Sequence, residues 1–141
     1  MSVKYPSKGS QIKGTDGLPI ASQTLTATEQ SGWMAFDDVE WVGLAVDCGT
    51  VSGTLPTLDV RLQLRFNEGS EIYGMPAAEA SSTAAVLTQM TTTGDNDCRY
   101  FRAPFPSAGR NAQFRVNFAI GGTSPSFEID AAEVFLVERT A

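Results

Sequence analysis

Two stretches of the chain alternate regularly between apolar and polar residues, over residues 58–66 and 112–120. Their apolar positions are Leu58, Val60, Leu62, Leu64 and Phe66 in the first stretch, and Ala112, Phe114, Val116, Phe118 and Ile120 in the second. Because side chains of a β-strand alternate between its two faces, both stretches predict strands with one buried and one solvated face. A slip of one residue would bury arginine, so the pattern also fixes the register.

A Gly-Thr-x-Pro segment occurs twice, just before the first of these stretches and just after the second. Residues 50–60 and 119–129 align without a gap at an offset of 69 residues. Glycine permits positive φ, while proline fixes φ and has no N–H to donate. Each copy is therefore predicted to end one strand and to set the angle of the next. The repeat indicates a β-fold made of two similar halves, although two Gly/Pro connectors can also match by chance.

Shorter patterns predict the remaining strands. Residues 41–48 are apolar on both faces, which fits a central strand that is covered on both sides or packed against a partner. Residues 23–29 and 99–103 predict two short strands, and residues 76–90 favour a loop with at most one helical turn, followed by a strand. About eight strands without a helix of normal length predict an all-β, eight-stranded jelly-roll-like sandwich, with an immunoglobulin-like sandwich as the alternative.

Composition and charge divide the chain into an arm and a body. Residues 1–22 are rich in Gly, Ser, Lys and Pro with few apolar anchors, so we predict an extended N-terminal arm followed by one β-sandwich domain over residues 23–141. All three lysines, Lys4, Lys8 and Lys13, lie in the arm, and the body carries an excess of acidic residues. The arm is either a soluble tail or a segment that reaches onto an acidic neighbouring subunit.

Several partners and compartments are disfavoured. The net charge of −6 argues against binding of nucleic acid, and no apolar run is long enough to cross a membrane. The N-terminus lacks the apolar region of a signal peptide, so we expect the chain to remain in the cytoplasm unless it leaves within an assembly. Cys48 and Cys98 lack the number and spacing of a metal site, so we expect two reduced, largely buried thiols. A disulfide is the alternative if the fold brings them together.

The sequence contains no recognisable catalytic arrangement. Histidine is absent and every lysine lies in the arm, which leaves Ser and Cys without a neighbouring base. Residues 95–97 offer oxygen ligands for Ca²⁺ but lack the rest of an EF-hand loop, which favours an Asx turn. The acidic residues at 37–40 favour a solvated edge over a glycosidase pair, since adjacent carboxylates on a strand point to opposite faces. We therefore predict no enzyme activity, no catalytic residues, no metal and no cofactor.

Aromatic residues suggest binding surfaces. Trp33, Trp41, Tyr73 and Tyr100 offer the rings of a sugar-binding platform, although core filling or subunit packing is favoured for each. Phe105 lies between two prolines, and an apolar side chain on a stiff loop loses little entropy on docking. The candidate interface residues are Lys4, Lys8, Lys13, Ile12, Trp33, Trp41 and Phe105.

The two repeated segments resemble small virion proteins of tailed bacteriophages, in which Ser-Gly-Thr-x-Pro-Thr turns followed by a hydrophobic residue and Asp-Val recur. The resemblance covers roughly residues 40–66 and 112–137 and carries no active-site residues. It implies a jelly-roll capsid decoration (cement) protein, a homotrimer on the outer capsid surface that ties neighbouring major capsid proteins together. Such a protein is made in the host cytoplasm and resides on the virion. The alternatives are a carbohydrate-binding module and a minor tail or head–tail joining protein.

Overall fold

A computed structural model describes residues 10–35, 39–74, 84–102 and 111–138. Every regular element in these ranges is a β-strand, and all the strands belong to one open antiparallel sheet. The strands are β1 Ser10–Gln11, β2 Thr24–Leu25, β3 Glu29–Gln30, β4 Met34–Ala35, β5 Val39–Phe66, β6 Tyr73–Gly74, β7 Asn96–Arg102 and β8 Ala112–Glu138. The all-β prediction is thus confirmed, whereas the jelly-roll and immunoglobulin-like topologies stay predictions.

Strands β5 and β8 form the centre of the sheet. They pair antiparallel from Val39 opposite Glu138 to Phe66 opposite Ala112. Residues 10–35 follow the outer edge of β8 through β1 to β4. Residues 73–74 and 85–102 lie along the outer edge of β5 through β6, two isolated bridges and β7. The sheet therefore consists of two long inner strands between two interrupted edge segments.

This arrangement repeats within the chain, because each half has an interrupted edge segment followed by a long strand. The pairing of Val51 with Phe127 corresponds to that of Leu58 with Ile120 when the 69-residue offset is applied to both partners. Thr54 opposite Thr123 corresponds to itself under the same operation. The sequence repeat therefore corresponds to an approximate twofold symmetry of the sheet, whose axis passes between the two Gly-Thr-x-Pro segments.

The two Gly-Thr-x-Pro segments cross each other at this axis, and we call the crossing the corner. Gly53 and Gly122 have φ of 115° and 107°, and the residues two positions later, Leu55 and Ser124, have φ of 49° and 47°. A Cβ on Gly53 would lie 2.7 Å from the carbonyl oxygen of Ser124, and one on Gly122 would lie 2.6 Å from that of Leu55. The pairing shifts register here, but both long strands continue through the corner. The prediction that each copy ends a strand is therefore wrong, because the segment bends a strand that remains paired.

The corner divides the sheet into two wings. The first wing contains residues 39–48 of β5 and 129–138 of β8, and the second contains residues 58–66 and 112–120. The predicted buried face of the second wing is confirmed, since Leu58 to Leu64 and Ala112 to Phe118 bury every second side chain. The predicted solvated face is wrong, because Gln63 and Asn117 on the other side are buried as well. Buried residues of both wings form one hydrophobic cluster. Because the inward side chains of both wings are buried and belong to this one cluster, the sheet folds over on itself and encloses the core between its wings.

Part of the predicted arm belongs to this domain. Residues 10 and 11 pair with β8, the Ile12 N–H donates to the Ala132 carbonyl at 2.9 Å, and Ile12 and Ile20 are 0% and 1% exposed. Residues 10–22 lack a core of their own, as their composition predicts, but they pack onto the common core. The boundary at residue 22 therefore does not separate an arm from the sandwich.

Two further local predictions need correction. Residues 84–90 do not form a continuous strand, because only Ala85 and Met90 make bridges to β5. Both cysteines are free, as expected, but Cys48 is buried whereas Cys98 is exposed. Cys98 lies on edge strand β7, where the side chains are mostly solvated.

Candidate interaction surfaces

The outer surface of the first wing is largely apolar, although the core lies on its other side. Trp41 pairs with Val137, and the neighbouring outward position Gly43 pairs with Phe135 on one side and Tyr100 on the other. We call Trp41, Tyr100, Phe135 and Val137 the aromatic face. Its members are half-buried, except for Tyr100, which is 52% exposed. The run predicted as apolar on both faces is thus covered on one side and open on the other.

A glycine lets the aromatic face lie flat. Gly43 is buried beneath the Tyr100 ring, and a Cβ at this position would lie 2.6 Å from the nearest ring atom. The Tyr100 and Phe135 ring centroids are 6.2 Å apart at 43°. The Arg102 guanidinium lies 5.4 Å from the centre of the Trp41 ring and forms an ion pair with Glu40 at 3.2 Å. The face is therefore a packed set of rings with a neutralised charge at its rim.

Acidic residues lie on the outer surface of the same wing, next to the corner. We call Asp47, Glu128 and Asp130 the acidic cluster; all three are exposed. Carboxylate oxygens of Glu128 and Asp130 each lie 2.7 Å from the position of a Cβ on Gly49, so the two side chains converge over this glycine. No ion pair neutralises these carboxylates within the described ranges.

The acidic cluster affects the buried thiol behind it. Burial, followed by the charges of Asp95, Asp47 and Asp130, raises the pKa of Cys48 to about 11. The Cys48 sulfur lies 3.4 Å from the Met90 sulfur, in the core. The thiol is therefore protonated and shielded at neutral pH, which makes it a packing residue and not a nucleophile.

The outer surface of the second wing is polar and partly buried. Cross-strand pairing places each arginine there opposite an amide, namely Arg61 opposite Asn117, Gln63 opposite Arg115 and Arg65 opposite Gln113. We call these six residues the arginine face. Arg65 Nε donates to Gln113 Oε1 at 2.8 Å, and Arg115 Nε donates to Gln63 Oε1 at 2.7 Å. Two of the three pairs are therefore joined by a side-chain hydrogen bond between β5 and β8. We call such a pair a closed rung, and a pair without this bond an open rung.

The third pair is an open rung. Arg61 Nε and Asn117 Oδ1 are both buried without a hydrogen-bond partner, and Asn117 is only 3% exposed. An asparagine side chain is one methylene shorter than that of glutamine. Gln63 and Gln113 therefore reach the arginine opposite, whereas Asn117 does not. An unpaired buried polar atom destabilises a protein by about 1–3 kcal/mol. This position therefore has capacity for a further polar contact.

Trp33 covers the two closed rungs. The guanidinium carbons of Arg65 and Arg115 lie 4.3 and 4.6 Å from the centre of its ring. Burial, and then the charge of Arg65, lower the pKa of Arg115. In the described part of the chain no carboxylate pairs with Arg61, Arg65 or Arg115. The face thus holds two adjacent like charges that stack on one ring and have no counter-charge within the described ranges.

The predicted interface residues fall in different places. Trp33 and Trp41 lie on opposite wings, so they do not form one platform, and Tyr73 packs against Phe66 with centroids 6.0 Å apart. Ile12 is fully buried in the core and is not available to another subunit, whereas Lys13 is exposed. Lys4, Lys8 and Phe105 lie outside the described residues.

Sequence reasoning missed the arginine face and the part that Phe135 plays in the aromatic face. The alternation over residues 58–66 and 112–120 assigned the polar positions to a solvated side, yet Gln63 and Asn117 are 6% and 3% exposed. The available signal was the composition of that side, where long arginines and amides occupy almost every position. Such side chains suit cross-strand pairing better than free hydration.

The acidic residues at 95–97 do not form the predicted Asx turn, in which a carboxylate accepts from the N–H two residues on, because Asp95 and Asp97 accept from residues earlier in the chain. Asp95 Oδ2 accepts hydrogen bonds from the backbone N–H groups of Thr91 at 2.8 Å and Thr92 at 3.0 Å, and Asp97 Oδ2 accepts one from Thr88 at 2.8 Å. These backbone bonds lower the pKa of both carboxyl groups. Among the described residues, no group of three or more His, Cys, Asp and Glu side chains is placed to hold a metal ion. The described ranges also contain no helix that could span a membrane.

Comparison with known proteins adds no evidence for function to that of these surfaces. No protein family model matches the chain, and no curated protein matches it.

Proposed function

We propose that the protein is a structural virion protein, a trimeric capsid decoration protein that binds the outer capsid surface and clamps neighbouring major capsid proteins. The observation that carries the proposal is the aromatic face of the first wing. The second support is the resemblance of the two Gly-Thr-x-Pro segments to small virion proteins of tailed bacteriophages.

The aromatic face has the composition of a protein interface. Buried parts of interfaces are enriched in Trp, Tyr, Phe and Arg, and the strongest contributions come from aromatic anchors that become fully desolvated. Trp41, Tyr100 and Phe135 supply such anchors on a rigid sheet, with Arg102 at the rim. Because the rings are already packed on Gly43 and on each other, little side-chain entropy would be lost on docking.

Decoration in this manner needs no chemistry. A protein that binds only the assembled lattice stabilises it by an amount set by its affinity and concentration. Three copies in one trimer raise the effective concentration of each contact, so a modest aromatic face suffices for stable attachment.

The direct test replaces one ring of the aromatic face. We expect Tyr100→Ala to reduce attachment to undecorated shells at least about tenfold, because an anchor at the centre of an interface contributes about 2 kcal/mol or more. Leu18→Ala is the matched control, since Leu18 is 60% exposed and lies outside this face. Copy number per shell, measured by quantitative electrophoresis of purified particles, gives the result. Equal occupancy by Tyr100→Ala and wild type would reject the aromatic face as the shell contact.

The predicted role of the arm is tested separately. Removal of residues 1–9 deletes Lys4 and Lys8 but keeps β1 and Ile12, which belong to the domain. We expect weaker shell attachment with an unchanged melting temperature. A change in neither quantity would remove the arm from the proposal. Phe105→Ala, with Leu18→Ala as its control, tests the predicted loop anchor in the same assay, and unchanged occupancy would exclude Phe105.

A carbohydrate-binding module is the second candidate, and Trp41 next to Tyr100 on one flat face favours it. Sugars stack on such rings, so a bound glycan would change tryptophan fluorescence. We expect Trp41→Phe to abolish that change and Trp33→Phe to keep it if the aromatic face is the sugar site. A flat response of the wild type across a glycan panel would exclude this function. Copy number per particle separates a decoration protein, present in many copies, from a minor tail or head–tail joining subunit.

A further inference from the structure

We propose that the arginine face is a carboxylate-binding surface whose occupant is the acidic cluster of a second copy of the same chain. The proposal concerns self-association and is independent of the contact with a capsid shell. It therefore adds a second interface, formed by the arginine face of one copy and the acidic cluster of another, and separate from the aromatic face.

The arginine face presents hydrogen-bond donors that meet no acceptor among the described residues. Arg65 and Arg115 each use only Nε in their rungs, and no hydrogen bond joins their Nη groups to another described residue. A guanidinium whose Nε is engaged still has four Nη–H donors in one plane, which match the two oxygens of a carboxylate. The rungs thus fix the orientation of the guanidinium groups.

The charges point to an anion and not to a neutral partner. Arg65 and Arg115 stack on one Trp33 ring at 4.3 and 4.6 Å, so two like charges are held close together in a partly desolvated setting. Arg61 adds a third guanidinium with a buried, unpaired Nε beside the unpaired Asn117 Oδ1. An entering carboxylate would relieve the repulsion between the guanidinium groups and accept hydrogen bonds from their Nη–H groups.

The complementary surface is present on the same chain. Asp47, Glu128 and Asp130 are exposed acids without an ion-pair partner among the described residues. Because the inner faces of the wings meet in one core, their outer faces point away from each other. The acidic cluster of one copy can therefore meet the arginine face of the next copy but not that of its own chain.

Such a contact is head-to-tail, since different surfaces of the two copies meet. A heterologous contact closes into a ring when the rotation between copies permits and otherwise continues as an open chain. Either form requires both surfaces on every copy. This requirement makes the proposal testable by charge reversal of each surface in turn.

The experiment is sedimentation velocity on purified full-length protein at about 50 mM and about 1 M NaCl, where screening lengths differ severalfold. We expect the wild type to associate with increasing concentration at low salt and to dissociate at high salt. Glu128→Lys with Asp130→Lys should weaken this association about tenfold or more, since the two reversals cost at least about 1.4 kcal/mol. Glu68→Lys with Glu71→Lys is the control with the same change of net charge, made at exposed acids away from the cluster.

The reciprocal variant is Arg65→Glu with Arg115→Glu, and it should also be monomeric. An equimolar mixture of the two reversed proteins should associate again, because each keeps the surface that the other has lost. If the arginine variant unfolds, the acidic variant alone still decides the matter, since its substitutions are at exposed positions. A monomeric wild type at low salt, or association that survives the acidic reversal, would overturn the proposal. Equal weakening by the control pair would overturn it as well, because net charge would then be the cause.

Discussion

The two wings have similar buried faces but different outer surfaces. Both bury alternate apolar side chains of the same two strands in one core. The first wing then presents rings around Gly43, whereas the second presents arginine–amide rungs beneath Trp33. Each has one tryptophan in contact with arginine, but Arg102 at Trp41 has a carboxylate partner, and Arg65 and Arg115 at Trp33 have none in the described ranges.

The difference shows how a duplicated fold can carry two outer surfaces of different chemistry. The approximate twofold axis keeps the backbone, the corner and the core face similar in the two halves, because these positions are constrained by packing. The outward positions are free of that constraint. One wing has thus become apolar and the other cationic, and two surfaces that point apart suit a subunit with two neighbours.

The largest expected effect comes from the corner, which separates the two surfaces. Gly53→Ala and Gly122→Ala should each destabilise the fold by about 3 kcal/mol or more, because they combine a strained φ with a Cβ within 2.7 Å of the crossing backbone. Urea denaturation followed by tryptophan fluorescence measures the free energy of unfolding. The twofold relation further predicts that the two substitutions cost similar amounts.

Gly17→Ala, outside the corner, is a control that separates the cost of a strained φ from the cost of a steric clash. Gly17 also has positive φ, at 80°, but nothing lies within 4 Å of the position of its Cβ. It should therefore cost only about 1 kcal/mol, from strain alone. If Gly53→Ala costs no more than Gly17→Ala, the crossing of the two segments does not hold the wings in place.

The tryptophans provide the next comparison. Trp33→Ala should destabilise by about 2 kcal/mol, since it removes two cation–π contacts and exposes Arg65 and Arg115 to each other's charge. Trp41→Ala should cost about 1 kcal/mol, because Arg102 is farther from the ring and keeps its partner Glu40. Added salt should reduce the first penalty and leave the second nearly unchanged. An equal cost and an equal salt response for both would show that the two faces do not differ electrostatically.

The sequence predicted the core face of the wings because burial follows directly from alternation. Leu58 and Phe114 had to point inward if the strands existed at all, and they do. It did not predict that the Gly-Thr-x-Pro segments bend a paired strand. That outcome depends on a contact between segments 69 residues apart, in which Gly53 and Gly122 each lie against the backbone of the other segment. Local turn preferences carry no information about such a contact.

The surfaces were harder to predict for a related reason. A polar position such as Gln63 has the same local signal whether its amide meets water or an arginine on another strand. Likewise, Phe135 is one of several apolar residues near the C-terminal end, and only its pairing with Gly43 places it beside Tyr100. Cross-strand partners are tertiary information, so the candidate residues chosen by type were partly wrong, as Ile12 shows.

The rungs allow a reciprocal test on the arginine face. Asn117→Gln should close the open rung with Arg61 and stabilise the fold by about 1 kcal/mol, the value of one hydrogen bond. Gln113→Asn should open the rung with Arg65 and destabilise by about the same amount. Both are measured by urea denaturation. Stabilisation by neither swap, or a loss from both, would show that side-chain length does not explain the open rung.

The smallest expected effect concerns the two thiols, which report on opposite sides of the first wing. Cys98 is exposed on the outer side of β7, whereas Cys48 lies in the core and its pKa is raised to about 11. In the native monomer we expect a disulfide reagent at pH 8 to modify Cys98 quickly and Cys48 only as the wing opens. Cys98→Ser is the control and should remove the fast phase alone.

The same measurement distinguishes the two outer faces in an assembled particle. Cys98 lies opposite Ala45, next to the Tyr100 position, so a partner on the aromatic face should slow its modification. Head-to-tail association places the next copy on the acidic cluster, which is nearer the corner than Cys98, so it should slow this modification less.

The pKa of Cys48 also gives a pH test. Its protonated form is favoured in the folded state, so this contribution to stability is complete below pH 9 and is lost as the pH rises towards 11. Cys48→Ala should flatten that decline, and an equal decline in both proteins would show that the buried thiol is not its cause.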